Sequence, residues 1–335
     1  MKKEKKIPPT ISVLMAVYNG ELWLEESICS VLEQTFSNFE FIIINDGSED
    51  SSVEIIESFI KKDPRIRLFN KSNTGLADSL NYGMLRAKGK WIARIDADDI
   101  CESNRLQEQL DFVELNKDHV LVGSGLNIID EKGIRSKTYI YPTKHNDIIR
   151  RLSKALPFFP HSSAFFKLET ALELGGYRTE FKRSQDQDLW LRLSNKGKIT
   201  CLNKPLVSIR KHSEQMSNDS LGKKQHIYSH MAMTSYFLNL TGKEDPFKSI
   251  NNQEKKFYEF VNENLIATNY FDYADTISEI KLIFNINKGY LKQLRELFKT
   301  LLMRPKFIYQ YIKFRLCGTN LPKRLAKVWT GVNNE

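Results

Sequence analysis

The sequence predicts an α/β fold: a mostly parallel sheet with helices on both faces, followed by an α-helical C-terminal region. One observation behind this prediction is that short apolar runs alternate with amphipathic stretches from Thr10 to about Asn127, which is the rhythm of strands joined by crossover helices. Another is that the formal net charge of +9 belongs almost entirely to the last third of the chain. A length of 335 residues with 41% hydrophobic residues supports one large or two ordinary domains and excludes a mainly disordered chain.

The predicted strands are short, rich in Val, Ile and Phe, and bounded by turn residues. They are Ile11–Val17, Phe39–Ile44, Ile66–Phe69, Trp91–Ile95 and Val120–Val122. Amphipathic patterning predicts helices between them at Glu21–Thr35, Ser51–Lys62, Leu76–Ala87 and Asn104–Asn116. The stretch from Ser124 to Pro160 carries no clear pattern.

The charge distribution divides the chain into residues 1–220 and 221–335. The second part has 18 Lys and Arg against 10 Asp and Glu, whereas the first part has 32 against 31. Helical patterning continues over Lys224–Leu240, Gln253–Asn269 and about Tyr273–Lys299. Within Leu291–Lys327, apolar and basic residues are interleaved, which predicts peripheral binding to an anionic membrane surface. A helical subdomain packed on the sheet, or a dimer surface, remains an alternative.

Other classes of protein are disfavoured. No run approaches the roughly 18 apolar residues of a membrane span, and the basic start, Met1–Lys6, leads into no signal-peptide core. The four cysteines, Cys29, Cys101, Cys201 and Cys317, are far apart in the sequence, which favours reduced thiols. We therefore expect a cytoplasmic protein that can bind peripherally at the inner face of the plasma membrane. Nucleic-acid binding is disfavoured because no recognised module is present.

Polar residues follow three of the predicted strands. They are Tyr18 to Gly20, Asn45 to Ser48, and Asp96 to Asp99. Because ligands bind at the carboxyl ends of parallel strands, these segments predict one shared crevice. Clustered carboxylates repel one another unless a cation lies among them, and hard oxygen ligands favour Mg²⁺ or Mn²⁺ bridging to nucleotide phosphates. A solvated acidic turn that caps the next helix is the alternative.

An ordered set of motifs carries a resemblance to a known family. The motifs are Ser12 to Asn19, Asn45 to Ser48, Asn73 to Leu76, Ala93 to Asp99, and Gln185 to Arg192. Together they resemble family 2 glycosyltransferases, which are inverting enzymes with the GT-A fold, a mostly parallel Rossmann-like sheet flanked by helices. The resemblance covers about Ile7 to Ser217 and implies a bacterial enzyme of the surface-polysaccharide type.

The resemblance implies roles at the donor nucleotide sugar and the metal. The residues implied at the nucleotide sugar are Tyr18, Asn19, Asp46, Gly75, Arg94 and Asp96. Those implied at Mn²⁺ or Mg²⁺ are Asp98, as the main ligand, with Asp96 and His212. Each of four residues has an alternative role. Tyr18 would pack on the core, and Asp46 would form a turn. Arg94 would make a structural ion pair, and His212 would have only a structural role.

The catalytic base is predicted on a separate helix. Asp186 precedes Leu189 and Trp190 by three and four residues and so shares their inward face, whereas Asp188 is turned away by about 200°. Asp186 is therefore the predicted general base. The resemblance places a polar residue at the acceptor near His161, and we assign His161 and Asp188 to the acceptor side. A structural histidine is the alternative at His161.

The predicted activity is metal-assisted transfer of a sugar, with inversion, from a nucleotide-diphosphate sugar, expected to be UDP-linked, to a saccharide or lipid-linked saccharide. Two other functions remain: a non-catalytic scaffold for saccharide assembly, and an Asp-metal nucleotidyltransferase or phosphoesterase. The retained acidic residues argue against the scaffold, and a separate Asp186 is less well explained by the phosphoesterase. The sugar, the acceptor and the oligomeric state cannot be read from these residues.

Overall fold

The computed structural model describes residues 8–154, 156, 158–213, 222–248, 253–268, 270–271 and 320–329. The chain divides into two compact units, Met1–Ser220 and Leu221–Glu335. Each unit is described by itself.

The N-terminal unit is built on a nine-stranded sheet. The strands are β1 (Ile11–Val17), β2 (Phe39–Asn45), β3 (Ile66–Asn70), β4 (Trp91–Arg94), β5 (Ile100–Cys101), β6 (His119–Ile129), β7 (Arg135–Tyr139), β8 (Phe165–Lys167) and β9 (Lys198–Arg210). Their order in the sheet is β3-β2-β1-β4-β8-β6-β9-β5, and β7 pairs with β6. The helices of this unit are α1 (Leu24–Leu32), α2 (Ser52–Ile60), α3 (Leu76–Met84), α4 (Arg105–Leu115), α5 (His145–Leu152), α6 (Leu168–Glu173) and α7 (Gln185–Leu193).

The first four strands are parallel neighbours, so the predicted alternation of strands and helices is confirmed here. Alternate residues of β1 pack against α1, α2 and α4 in one apolar cluster. The other face of β1 contacts α3, where Gly83 lies so close that an added Cβ would be 2.3 Å from Cδ1 of Leu14. Helices therefore cover both faces, which explains why these strands are apolar along their whole length.

The second half of the sheet differs from the prediction. β8 is antiparallel to both β4 and β6, and β6 extends to Ile129, well beyond the predicted Val122. The region from Ser124 to Pro160 contains β7 and α5, although no element was predicted there. β7 is exposed along its length and α5 is short, so neither has the continuous apolar run that made the first strands recognisable.

The C-terminal unit is helical in its described parts, with α8 (Gly222–Leu240), α9 (Glu254–Ala267) and a helix over Leu321–Val328. The first two confirm the predicted helices. The predicted helix Tyr273–Lys299, and the basic segment Leu291–Lys327 up to residue 319, lie outside the described residues. Within the described ranges, no helix is long and apolar enough to cross a membrane.

Candidate active site

The loop after β1 is tied to the loop after β2 by Asn19. Asn19 has a left-handed backbone with φ of 50°, its N–H donates to Oγ of Ser48 at 3.1 Å, and its Oδ1 accepts from the N–H of Glu49 at 2.9 Å. Tyr18, immediately before it, is 52% exposed. Core packing is therefore excluded for Tyr18, and its ring is accessible at the end of β1.

Asp46 is buried at the end of β2 and organises the segment that leads into α3. Its Oδ1 accepts from Nζ of Lys71 at 2.6 Å and from the N–H of Thr74 at 3.0 Å, and its Oδ2 accepts from the N–H of Gly75 at 2.9 Å. Burial alone would raise the pKa of Asp46, but these hydrogen bonds, led by the one from Lys71, lower it. Asp46 is thus an ionised acceptor that fixes the backbone of Thr74 and Gly75.

Gly75 begins α3 with a φ of 96°, a conformation that favours glycine. A Cβ added there would have no atom within 4 Å. The backbone at the start of α3 therefore borders open space beside Asp46.

The acidic loop after β4 brings three carboxylates together. The ligand atoms of Asp96, Asp98 and Asp99 all lie within 4.8 Å of one another. Arg94, which is buried, contacts Asp96 and also donates to Oγ of Ser162 at 3.0 Å. Burial would raise the pKa of Asp96, and the charge of Arg94 lowers it. Arg94 therefore makes an ion pair that orients Asp96.

Asp99 and Ser162 form the buried floor of this loop. Oγ of Ser162 lies 2.8 Å from Oδ2 of Asp96 and also contacts Asp99. Because a hydroxyl has one proton, Ser162 can donate to only one of these two carboxylates at a time. Oδ1 of Asp99 accepts from the N–H of Arg210 at 3.1 Å. Burial, followed by the charges of Asp98 and Asp96, raises the pKa of Asp99 well above its ordinary range. Sequence reasoning assigned no role to Ser162.

Asp98 is more accessible than Asp99, and it is paired with His212, which follows β9. Nε2 of His212 lies 2.9 Å from Oδ2 of Asp98, and the imidazole packs on Trp23 with ring centroids 4.1 Å apart. Burial and the charge of Asp96 raise the pKa of Asp98, and the hydrogen bond with His212 opposes them. The hard carboxylate oxygens of this loop are the donor type that Mg²⁺ and Mn²⁺ prefer, so these residues fit such an ion by their chemistry.

The predicted base lies at the start of α7. Ser184, just before the helix, has a left-handed backbone with φ of 55°, a strained conformation for a residue with a Cβ. Oδ1 of Asp186 accepts from the N–H of Gln187 at 2.8 Å. Burial raises the pKa of Asp186, Arg94 lowers it, and Asp96 adds to the rise. His161, next to Ser162 of the acidic-loop floor, packs on Trp190 of α7 with ring centroids 5.8 Å apart, so α7 lies beside the acidic loop.

Asp188 lies in a different environment from the one expected. It is 1% exposed, and its two oxygens accept from NH1 of Arg178 at 3.0 Å and from NH2 of Arg192 at 2.6 Å. The helix is buried on all sides from Gln187 to Leu193. Asp188 does lie on a different face from Leu189 and Trp190, but that face is buried as well. The structure therefore favours a structural ion pair over an acceptor contact for Asp188.

His161 lies beside Tyr177, with Nε2 2.8 Å from the hydroxyl oxygen. Burial and then the charge of Arg94 hold the pKa of His161 well below its ordinary value, and burial raises the pKa of Tyr177, so both groups are neutral. The backbone of Tyr177 is clamped by Asn81 of α3: it donates to Oδ1 at 2.8 Å and accepts from Nδ2 at 2.7 Å. A Cβ on the preceding Gly176 would be 2.4 Å from the same Oδ1.

Solved structures share this fold. S. aureus TarS 1-349 in complex with UDP-GlcNAc aligns with a TM-score of 0.59 and 15% identity, over 95% of this chain and 90% of that one. The mannosyltransferase PcManGT from Pyrobaculum calidifontis, in complex with GDP-Man and Mn²⁺, aligns with a TM-score of 0.52 and 16% identity, over 95% and 88% of the two chains. The chain therefore has the GT-A fold.

Sequence relatives give the family. The family model described as "Glycosyl transferase family 2" matches residues 12–175. EpsE of Bacillus subtilis, which is named as a candidate glycosyltransferase, is 34% identical over 217 residues. These are 63% of this chain and 77% of EpsE. The O-antigen biosynthesis glycosyltransferase WbnJ of Escherichia coli is 33% identical over 223 residues, 64% and 85% of the two chains. This chain is a glycosyltransferase and belongs to glycosyl transferase family 2.

Proposed function

We propose that this glycosyltransferase moves a sugar, with inversion, from a UDP-sugar to a saccharide or lipid-linked saccharide acceptor during assembly of a surface polysaccharide. The observation that carries the proposal is that Ser162 bonds to Asp96 of the acidic loop while the neighbouring His161 packs on Trp190 of α7, the helix that carries Asp186. A donor held at the acidic loop would thus present its anomeric carbon to a base on another element.

Asp98, with Asp96 and His212, would hold the divalent ion, and Mn²⁺ or Mg²⁺ is the class of ion that suits the carboxylates. When bound, the ion supplies charge neutralisation for the departing nucleoside diphosphate. The Mn²⁺ in the PcManGT complex supports this part of the proposal.

Asp186 would act as the general base. Its carboxylate takes the proton of an acceptor hydroxyl while that oxygen forms the new bond to the anomeric carbon, and the bond from that carbon to the diphosphate breaks on the opposite face. The neutral pair of His161 and Tyr177 would line the acceptor side, where uncharged hydrogen-bonding groups suit sugar hydroxyls.

The donor base would lie against the exposed ring of Tyr18 and hydrogen-bond to Asp46. A carboxylate acceptor suits a base with a ring N–H group, which uracil, thymine and guanine have and cytosine lacks. The UDP-GlcNAc bound by TarS supports a uridine donor, and the name of WbnJ supports an acceptor in surface-polysaccharide assembly.

The test is a thermal-shift series with UDP, GDP, dTDP and CMP, each with and without Mn²⁺, followed by a screen of the sugars of the nucleotide that binds. A ligand that binds only the native state raises its stability, by about 2.7 kcal/mol at 100 times its Kd. We expect a Mn²⁺-dependent shift with UDP and glycoside formation by one UDP-sugar. Nucleotide binding with release of free sugar alone, or no shift with any nucleotide, would contradict the proposal.

Peripheral binding to an anionic membrane remains part of this proposal for the C-terminal unit. In its described part, the helix Leu321–Val328 buries Leu321 and Leu325 within its own unit and leaves Lys323 and Lys327 outside. Contact with lipid through this helix would therefore be electrostatic. Flotation with anionic and neutral liposomes tests it: we expect co-flotation only with anionic lipid at low salt, and a chain that stays at the bottom with both would refute it.

A further inference from the structure

We propose that Arg210, the last residue of β9, is a positioning residue that fixes the acidic loop in the conformation that binds the divalent ion. The inference rests on the proposed function, because it assigns Arg210 to the metal site of that function. Arg210 itself touches none of the reacting atoms.

The guanidinium of Arg210 joins three separate segments. Nε donates to the backbone oxygen of Asp98 at 3.2 Å, and Nη1 donates to the backbone oxygens of Asp130 and Glu131 at 3.3 and 3.1 Å. Nη2 donates to the carboxylate of Glu26 of α1 at 2.5 Å. One side chain therefore connects the acidic loop to the turn between β6 and β7 and to α1.

The backbone of Arg210 adds a second connection to the same loop. Its N–H donates to Oδ1 of Asp99 at 3.1 Å. Two residues later, Nε2 of His212 lies 2.9 Å from Oδ2 of Asp98. The side chain of Arg210 thus holds the carbonyl of Asp98, its backbone holds the carboxylate of Asp99, and His212 holds the carboxylate of Asp98. A shift of Arg210 would move all three contacts.

Arg210 is fully buried, whereas the side chain of its carboxylate partner Glu26 is 59% exposed. A planar guanidinium can donate in several fixed directions at once, and the ammonium of lysine cannot reproduce that geometry.

The experiment measures Mn²⁺ affinity directly, by the decrease of the free Mn²⁺ EPR signal as full-length protein is added without nucleotide. Partners that orient metal ligands typically contribute 10–100-fold to metal affinity. We expect Arg210→Lys to weaken Mn²⁺ binding by about 10–100-fold. Glu26→Gln removes only the exposed partner of Arg210, so it should weaken Mn²⁺ binding in the same direction but by less. This second variant keeps the proposal testable if Arg210→Lys fails to fold.

Arg192→Lys is the matched control, because Arg192 is also buried but donates to Asp188 and to the backbone oxygens of Leu174 and Gly176, none of which belongs to the acidic loop. It should lower the melting temperature and leave Mn²⁺ affinity unchanged. Wild-type affinity in both Arg210→Lys and Glu26→Gln would overturn the positioning role and leave the proposed function standing. If the wild-type protein binds no Mn²⁺, even with UDP present, the metal role in the proposed function falls and the role of Arg210 falls with it.

Discussion

Oδ2 of Asp98 lies 2.9 Å from Nε2 of His212, although the two residues are 114 positions apart in the chain. Asp98 follows β4 in the parallel part of the sheet, and His212 follows β9 in the mixed part. The candidate metal site is therefore complete only when both parts of the sheet have formed, and its two ends are contributed by different halves of the N-terminal unit.

Asp98→Ala and Asp186→Asn should separate donor binding from chemistry. Asp98→Ala should abolish turnover and remove the Mn²⁺-dependent part of UDP binding, because the predicted main ligand is lost. Asp186→Asn should lower kcat by at least about 100-fold, the usual contribution of a general base, and leave UDP binding intact. Thermal shift and turnover measure the two effects. Asp118→Ala, at an exposed acidic residue, is the control, and wild-type turnover in Asp186→Asn would refute our choice of base.

The pH dependence of kcat should report the raised pKa of Asp186. The base works in its ionised form, so kcat should fall as the pH falls through a value above the ordinary 3.8 of aspartate. Saturating Mn²⁺ is required so that Asp98, whose pKa is also raised without metal, stays ionised. An acid limb centred at or below 3.8 would show that Asp186 is not held in the buried environment described.

Asp99→Asn should stabilise the metal-free protein. The folded state binds the Asp99 proton more tightly than the unfolded state, so stability is highest in acid and declines as the pH rises above 3.8 towards the raised folded-state pKa. Asparagine removes that decline and can still accept from the N–H of Arg210. We expect a higher melting temperature for Asp99→Asn at pH 7 and a smaller difference near pH 4. A variant that is less stable at pH 7 would contradict this account.

Asp188→Ala should be a stability variant. It leaves the buried Arg178 and Arg192 without their carboxylate, and breaking a buried pair costs about 3–5 kcal/mol. Urea unfolding measures the loss. Asp147→Ala on α5 breaks an exposed pair with Arg150 and should cost less than about 1 kcal/mol. A raised acceptor KM with unchanged stability in Asp188→Ala would restore the acceptor role.

The parallel half of the fold could be predicted from sequence because its strands are buried on both faces and are therefore continuously apolar. Asp46, Asp96 and Asp98 were found by the same logic, since a polar residue directly after such a strand lies at the ligand edge of the sheet.

The rest of the site could not be found in this way. β8 runs antiparallel to β4, so the residues that precede it, His161 and Ser162, are the ones that reach the edge where the other strands end. Asp188 shows a second limit: helical periodicity separates one face from another, but α7 is buried on every face, so periodicity gives no direction towards solvent.

The two hydrogen bonds between Asn81 and the backbone of Tyr177 make α3 and the turn after α6 mechanically dependent on each other. A chimera that takes its N-terminal segment from one relative and its later segment from another must therefore keep Asn81 together with a glycine at position 176, because any larger residue there collides with the amide of Asn81. The safe units of exchange for engineering a new acceptor preference are loops that leave this pair of positions in one parent.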